Sequence, residues 1–234
     1  MINEKFQPER RQYSIVLIGD FNPAMFHPEW FRRHEIISPE ESNLAQNSSN
    51  PAVVTPQLTI FQTTQLSVRI DQNRFQVVAQ KEPLIVVKDF IVKTFEKLGA
   101  LVIRAYGFNY SAQYKIATYK EYQLIGDRLA PKEYWADLLG DEVTGDERQS
   151  GLASLKMLKT KSGDETGQIS VNLQPSDLFK PGIHLSCNDH TQIDEENSSA
   201  ELVIEKIEAA FDATFKKMAN LQIRLLEEVT KNEQ

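Results

Sequence analysis

The amino-acid sequence predicts an α+β fold, with a mainly antiparallel sheet, helices on one face of the sheet and a long C-terminal helix. Three observations support this prediction. Short segments of alternating apolar and polar residues are joined by turn sequences, which is typical of hairpins. These segments do not alternate regularly with helices, as they would in a parallel sheet. The chain also closes with a capped amphipathic stretch of about thirty residues.

The first part of the chain is predicted to contain one buried strand, a short helix over residues 28–32 that Pro28 opens, one hairpin and a longer helix. Residues 13–19 form a short apolar run, which predicts a buried strand. Residues 58–70 alternate in polarity and residues 75–79 return after a turn, which predicts a hairpin with one buried face. Residues 84–98 carry apolar side chains at helical spacing. Residues 37–57 are rich in Ser, Asn and Pro and are predicted to form a mobile loop.

A long strand and two helices follow. Residues 101–116 are predicted to form a strand in which Gly107 marks a candidate bulge, because glycine inside a strand often has that role. Thr118 and Glu121 form a T-x-x-E capping box, which predicts the start of the next helix. A second short helix is predicted over residues 131–139.

The polar residues 141–150 form the best internal boundary of what we predict to be a single domain. They separate residues 1–140, with the order β-α-ββ-α-β-α-α, from residues 151–234, with the order βββ-α. No sequence repeat is strong enough to indicate a duplication. The sequence does not determine which strands pair or whether the two halves share one sheet.

The C-terminal helix begins with a second capping box, formed by Ser198 and Glu201. At a rise of about 1.5 Å per residue, a helix of about thirty residues reaches about 45 Å, which is longer than one small sheet needs. Its apolar stripe repeats every three or four residues through Ile204, Ile207, Phe211, Thr214, Phe215, Met218, Leu221 and Leu225.

The composition is that of an ordinary soluble globular protein. The chain has 234 residues, and 26 Lys and Arg against 33 Asp and Glu leave a net charge of −7. A single Cys rules out an internal disulfide and a cysteine-based zinc framework. No stretch approaches the roughly 18 apolar residues that a membrane helix needs, and residues 1–12 contain no apolar signal-peptide core. We therefore predict a cytoplasmic protein without membrane association and without a cofactor.

Several segments resemble an uncharacterised family of bacterial cytoplasmic proteins of similar length, and the order and spacing of the segments agree across most of the chain. This chain departs from the family pattern at Thr191, where an aromatic residue is expected. The resemblance implies a bacterial cytoplasmic setting and a shared fold, and it implies no activity, cofactor or catalytic residue. The matching segments are residues 21–23 (FNP), 28–30 (PEW), 106–110 (YGFNY), 127–133 with Trp135 (DRLAPKEYW), and 188–190 (NDH).

One cluster of residue types could bind a metal. His184, Cys187, Asp189 and His190 lie within seven residues, and all are side chains that bind zinc or a similar ion. On a strand, however, the two histidines face one side while Cys187 and Asp189 face the other. The favoured interpretation is a strand in which Cys187 is a small buried group and residues 188–189 form a turn, without a metal or a catalytic thiol.

Two further kinds of site remain open. A pocket between the sheet and the long helix could use the polar groups of Tyr106, Asn109, Tyr110 and His184. A nucleic-acid surface could use the lysines of the hairpin near residue 156 and aromatic residues that alternate along residues 106–114. We consider nucleic acid unlikely, because the net charge is negative and because the aromatic face is expected to be the core side of the sheet.

The C-terminal helix gives the best indication of a partner. Its last turns are apolar on more than one side, and self-association would cover that surface. We predict a homodimer or a second protein subunit, with Phe215, Leu221 and Leu225 at the interface. The predicted function is a non-catalytic interaction or scaffold protein, with a ligand-binding protein or enzyme as the first alternative and a nucleic-acid-binding protein as the second.

Overall fold

The structure is a computed structural model, and it describes residues 6–79, 82–135, 151–163 and 166–231. The described residues contain nine strands, all in one antiparallel sheet. In chain order the strands are β1 (Arg10–Gly19), β2 (Val53–Val54), β3 (Leu58–Gln62), β4 (Leu66–Asp71), β5 (Arg74–Ala79), β6 (Ile103–Lys115), β7 (Leu155–Thr160), β8 (Thr166–Pro175) and β9 (Gly182–Gln192). Across the sheet the order is β2-β3-β4-β5-β1-β6-β9-β8-β7.

The described residues contain five α-helices beside the sheet, and the predicted α+β fold with a long C-terminal helix is confirmed. The last helix has 31 residues, which corresponds to a length of about 46 Å. None of the helices in the described ranges is long and apolar enough to cross a membrane. The helices are α1 (Pro28–Arg33), α2 (Pro39–Asn47), α3 (Ile85–Glu96), α4 (Tyr119–Leu129) and α5 (Ala200–Thr230).

The alternation of side chains along the strands separates the two faces of the sheet. On β1, Ile15 and Leu17 are completely or almost completely buried, and their partners on β6 are Phe108 and Tyr106. Residues that pair across antiparallel strands share a face, so the buried apolar side chains of neighbouring strands lie on one face of the sheet. The helices cover this face, where α3 and α5 pack on each other and on the central strands. The predicted aromatic core side of residues 106–114 is confirmed.

Apart from the short strand β2, the two halves of the sheet have the same topology in the described residues. The first consists of β1, the short helices α1 and α2, the meander β3-β4-β5, and α3. The second consists of β6, α4, the meander β7-β8-β9, and α5. The strand order is mirrored about the pair β1–β6. The structural duplication therefore divides the chain between α3 and β6, and the segments on both sides of the predicted linker belong to one sheet.

Phe215 corrects part of the predicted interface. Its side chain is only 4% exposed, and its ring contacts Tyr13, Phe108 and Phe211 at centroid distances of 5.3, 5.5 and 5.0 Å. It therefore belongs to the core that joins α5 to the sheet, and it cannot face a partner. Leu221 is 43% exposed, and its role at an interface remains a prediction, as does that of the half-buried Leu225.

The prediction of a mobile loop over residues 37–57 is wrong. The segment contains the nine-residue helix α2 and the short strand β2. The side chain of Ser38 caps the helix by accepting a hydrogen bond from the Glu41 amide at 3.2 Å, and Pro39 occupies the first helical position. Ala45 anchors the helix in the core. The sequence Ser-Pro-Glu-Glu at residues 38–41 contained this capping signal.

Three local boundaries also differ from the sequence predictions. The predicted strand over residues 58–70 is a hairpin, because the Thr63 hydroxyl accepts hydrogen bonds from two following amides and turns the chain. The cap of α5 is Ser199 rather than Ser198, whose hydroxyl instead donates to the Glu195 carbonyl. The strand β6 passes regularly through Gly107, and the register shift of β1 against β6 lies at Gly19.

The predicted linker over residues 141–150 lies outside the described residues. Of the predicted short helix over residues 131–139, the described part contains a 3-10 turn at Lys132–Trp135. The cap of α4 is confirmed, since the Thr118 hydroxyl accepts a hydrogen bond from the Glu121 amide at 3.1 Å.

Replacing Phe215 by alanine should lower the free energy of unfolding by about 3–5 kcal/mol, because it removes a buried ring and leaves a cavity. The exposed Leu221 provides the control on the same helix, and Leu221→Ala should change the free energy of unfolding by less than about 0.5 kcal/mol. Urea unfolding followed by circular dichroism measures both values. Similar losses for the two variants would indicate that Leu221 is buried in a stable dimer.

Candidate functional site

The four residues predicted to line a ligand pocket do not come together. Tyr106 and Tyr110 are 4% and 2% exposed, on the face covered by the helices. Asn109 and His184 lie on the opposite face of the sheet, since Asn109 pairs with Asn188 and His184 with Gln113. The strand alternation separates the two pairs of side chains, so the predicted pocket between the sheet and the long helix does not form. Asn109 and His184 instead border a depression on the opposite face, which the strand also borders at Tyr110.

A buried polar chain lies where the pocket was expected. The Tyr114 hydroxyl donates to Oε1 of Gln222 at 3.1 Å, and Gln222 is fully buried on α5. Burial raises the pKa values of Tyr110 and Tyr114 above the ordinary phenol value, so both hydroxyls stay protonated at neutral pH. The sequence analysis missed Gln222, although its position four residues after Met218 on the apolar stripe predicted burial.

Cys187 belongs to the same buried chain. Its thiol is 2% exposed, and Nε2 of Gln222 donates to Sγ at 3.4 Å. Burial raises the pKa of the Cys187 thiol above its ordinary value, while the hydrogen bond from Gln222 lowers it to a smaller extent. A nucleophilic thiol needs the opposite shift and an accessible position. The geometry therefore gives Cys187 a packing role.

The histidines near Cys187 lie on the other face of the sheet. The strand β9 is continuous from Gly182 to Gln192, so the expected turn at residues 188–189 does not form. His184 and His190 are six residues apart on an extended strand, which corresponds to about 20 Å. Within the described ranges, no group of three His, Cys, Asp or Glu side chains is suited to hold a metal ion.

Asp189 forms a largely buried ion pair. Its carboxylate lies 2.5 Å from Nζ of Lys161, and the two side chains are 14% and 10% exposed. The same ammonium donates to the Thr191 hydroxyl at 2.6 Å. Hydrogen-bonded, desolvated pairs of this kind hold neighbouring strands in a fixed relation. Asp189 therefore links the hairpin of β7 and β8 to β9.

The face of the sheet opposite the helices, called the open face below, is rich in amide and hydroxyl groups. The amides are connected in part, because Nδ2 of Asn188 donates to Oδ1 of Asn109 at 2.7 Å. Nδ2 of Asn172 donates to Oε1 of Gln174 at 3.1 Å. The pairing registers place on this face Gln12, Ser14, Gln76, Asn109, Ser111, Gln113, Gln168, Ser170, Asn172, Gln174, His184, Ser186, Asn188 and His190.

The charged side chains of the open face are mainly basic. The registers place there five basic residues and one acidic residue, Asp71. The basic side chains are exposed, and no ion pair joins any of them to a described residue. This pattern differs from the charge of the whole chain, which is −7. The basic residues are Arg10, Arg69, Arg74, Lys115 and Lys156.

The centre of the open face is concave. A shallow depression of about 300 Å³ lies there, bordered by Ser14, Asn109, Ser186 and Asn188. At the neighbouring Gln113, the Oε1 atom is buried without a hydrogen-bond partner in the described part of the chain. The depression therefore offers fixed hydrogen-bonding groups with little charge at its centre.

The edge strand β7 is the second unusual surface. Among the described residues it pairs only with β8, so none of them occupies the backbone groups of its outer edge. Met157 and Leu158 are 63% and 58% exposed. Met157 pairs with Val171 on the helix-covered side, and Leu158 pairs with Ser170 on the open face. Edge strands of monomeric proteins usually avoid such adjacent exposed apolar side chains.

Comparisons with known proteins identify no family. No protein-family model matches the chain, and no curated protein is significantly similar to it. The functional argument therefore depends on the geometry of the open face and of β7.

The Cys187 thiol should resist alkylation by iodoacetamide in the native protein at about pH 8, because it is buried and has a raised pKa. Mass spectrometry measures the labelling rate, which should rise only at denaturant concentrations that unfold the chain. The chain contains one cysteine, so no other thiol complicates the result. Rapid labelling of the native protein would contradict the buried position.

The open-face histidines should make stability depend on pH. Burial lowers the pKa of both histidines below the ordinary 6.5. At His184 the charge of Asp177 partly opposes this effect. At His190 the charge of Lys161 adds to the lowering, and the charge of Asp189 opposes it. Between the lowered values and 6.5 the unfolded chain binds more protons, so the free energy of unfolding rises with pH in this window.

We therefore expect the free energy of unfolding to decrease as the pH falls below about 6.5. In the double variant His184→Gln/His190→Gln, the free energy of unfolding should change less steeply with pH. Urea unfolding at several pH values measures both slopes. The carboxyl groups with lowered pKa values, those of Asp20, Glu29, Glu40 and Glu228, act only at lower pH. Identical slopes for the two proteins would contradict the assignment.

Proposed function

We propose that this protein is a non-catalytic interaction protein that binds an extended segment of another protein along the outer edge of β7. The observation that carries the proposal is the exposure of Met157 and Leu158 on an edge strand of six residues. An edge strand supplies main-chain hydrogen bonds to an added strand, and its side chains supply specificity. The proposal includes a cytoplasmic, bacterial setting, in agreement with the resemblance of several segments to bacterial cytoplasmic proteins.

The charges of β7 favour a different chain over a second copy. In a symmetric antiparallel self-pair, opposite residues come from the same face of the two sheets, so that Met157 would lie opposite Met157 and each Lys156 opposite Leu158 of the other strand. Opposite charges across a strand pair stabilise it, and a second copy cannot supply them because β7 contains no acidic residue. A partner segment with two apolar residues between two acidic residues would satisfy both the exposed apolar side chains and the lysines. The predicted homodimer remains an alternative outcome of the experiment.

The proposal can be tested with a synthetic decapeptide that carries Glu-Val-Val-Glu at its centre. The fluorescence anisotropy of the labelled peptide should rise when it binds the wild-type protein. A matched peptide with Lys-Val-Val-Lys at its centre should bind about tenfold more weakly, because two attractive charge pairs become repulsive. The variant Lys156→Glu, Lys159→Glu should reverse this preference. Hydrogen exchange should show protection of the β7 amides when the acidic peptide is bound.

Three results would contradict the proposal. The first is that neither peptide binds at a concentration of about 1 mM. The second is that both peptides bind equally well and the charge-reversed variant leaves the preference unchanged. The third is that wild-type protein is a homodimer in sedimentation and becomes a monomer in Met157→Lys, because the edge would then be occupied by a second copy.

A further inference from the structure

We propose that the open face of the sheet binds double-stranded nucleic acid. This surface adjoins the β7 edge, with which it shares Lys156, and the proposal goes beyond the interaction function. The net charge of −7 argued against such binding only while the position of the charges was unknown. The strand registers now place five basic side chains against one carboxylate on this face.

The arrangement of these groups matches the two kinds of contact that a duplex offers. Exposed Arg10, Arg69 and Arg74 have no ion-pair partner among the described residues, so they can neutralise phosphates without breaking an existing interaction. The centre of the face presents amides and hydroxyls, such as those of Asn109 and Ser186. These groups form hydrogen bonds with base edges and sugars in a groove.

The described strands present no Phe, Tyr or Trp ring on the open face, which favours a duplex over a single strand. Single-stranded nucleic acids bind mainly by stacking their bases on aromatic rings. In the described part of the sheet, the aromatic residues considered for that role, Tyr106, Phe108, Tyr110 and Tyr114, are all buried beneath the helices. The open face therefore offers hydrogen bonds and cations but no stacking surface.

The dimensions of the open face also fit a duplex. Nine strands have eight gaps, which at about 4.8 Å each give a width of about 38 Å. One helical turn of DNA is about 34–36 Å long. A duplex lying across the strands would therefore meet cations at Arg69 on β4 and at Lys156 on β7, which are six gaps or about 29 Å apart, and the amide-rich depression between them.

The test measures the anisotropy of a fluorescent 20-base-pair DNA duplex across a series of salt concentrations. Wild-type protein should bind at about 50 mM NaCl, with affinity that falls as salt rises. The variant Arg10→Ala, Arg69→Ala, Arg74→Ala should bind at least about tenfold more weakly, with a smaller salt slope. Lys156 stays unchanged in this variant because it also flanks the proposed peptide site.

A matched control separates position from total charge. The variant Lys206→Ala, Lys216→Ala, Lys217→Ala removes the same charge from the exposed side of α5 and should bind DNA like the wild type. A second variant, Ser186→Glu, adds a negative charge at the centre of the open face without removing a basic residue, and it should also weaken binding. Circular dichroism confirms that each variant is folded.

Four results would overturn the proposal. The first is that no duplex binds at about 50 mM NaCl, and the second is that the α5 control variant loses as much affinity for DNA as the open-face variant. The third is that a single strand binds more tightly than the duplex. The fourth is that polyglutamate displaces the duplex as efficiently as unlabelled DNA does. The last result would assign the open face to an acidic protein. A failure here leaves the peptide result at β7 unaffected, because the two experiments use different variants and probes.

Discussion

The pairing of β1 with β6 is the constraint on which the rest of this structure depends. The two strands pair over almost the whole length of β1, from Arg10 with Gln113 to Gly19 with Ile103, and each is followed outward by its own meander. Because side chains alternate along a strand, this register decides which face of the whole sheet is buried. A slip of one residue would exchange the apolar core for the amide-rich surface.

The helix-covered face is held by large aromatic side chains. Phe108 on β6 contacts Phe211 and Phe215 on α5, and Tyr13 on β1 contacts Tyr110 and Phe215. Rings in edge-to-face and tilted contacts contribute beyond the area that they bury. The polar chain of Tyr114, Gln222 and Cys187 lies within this layer. Groups with nucleophilic or acid–base chemistry are therefore used here for packing.

The uncovered surfaces carry the groups that are free to interact. A sheet with helices on one face leaves its other face and its outer edges to the solvent. In this protein the open face combines basic side chains that form no ion pair with a described residue and neutral hydrogen-bonding groups, while β7 exposes Met157 and Leu158. The two surfaces meet at β7, where Lys156 belongs to both. A peptide on the edge and an anionic polymer on the face would therefore lie close to each other.

The sequence by itself determined the local elements and the direction of most side chains. Polarity alternation predicted that Tyr106, Phe108, Tyr110 and Tyr114 share the core face, and Thr118 with Glu121 predicted the start of α4. These features depend on residues a few positions apart, whose spacing is visible in the sequence. The error over residues 37–57 had the same local character, because the Ser38 capping signal was present but was outweighed by the polar composition.

The tertiary structure alone decided which surfaces lie together. Pairing of β6 with β1 and β9 joins segments about 80–100 residues apart, and no local signal specifies such partners. The tertiary structure buries Phe215 in the core, although the sequence predicted it at an interface. The strand pairing also places Asn109 and His184 on the face opposite Tyr106 and Tyr110. It also collected basic residues from five strands on one face of an acidic protein. Composition sums charge over the whole chain, whereas the register of the strands determines where each charge is presented.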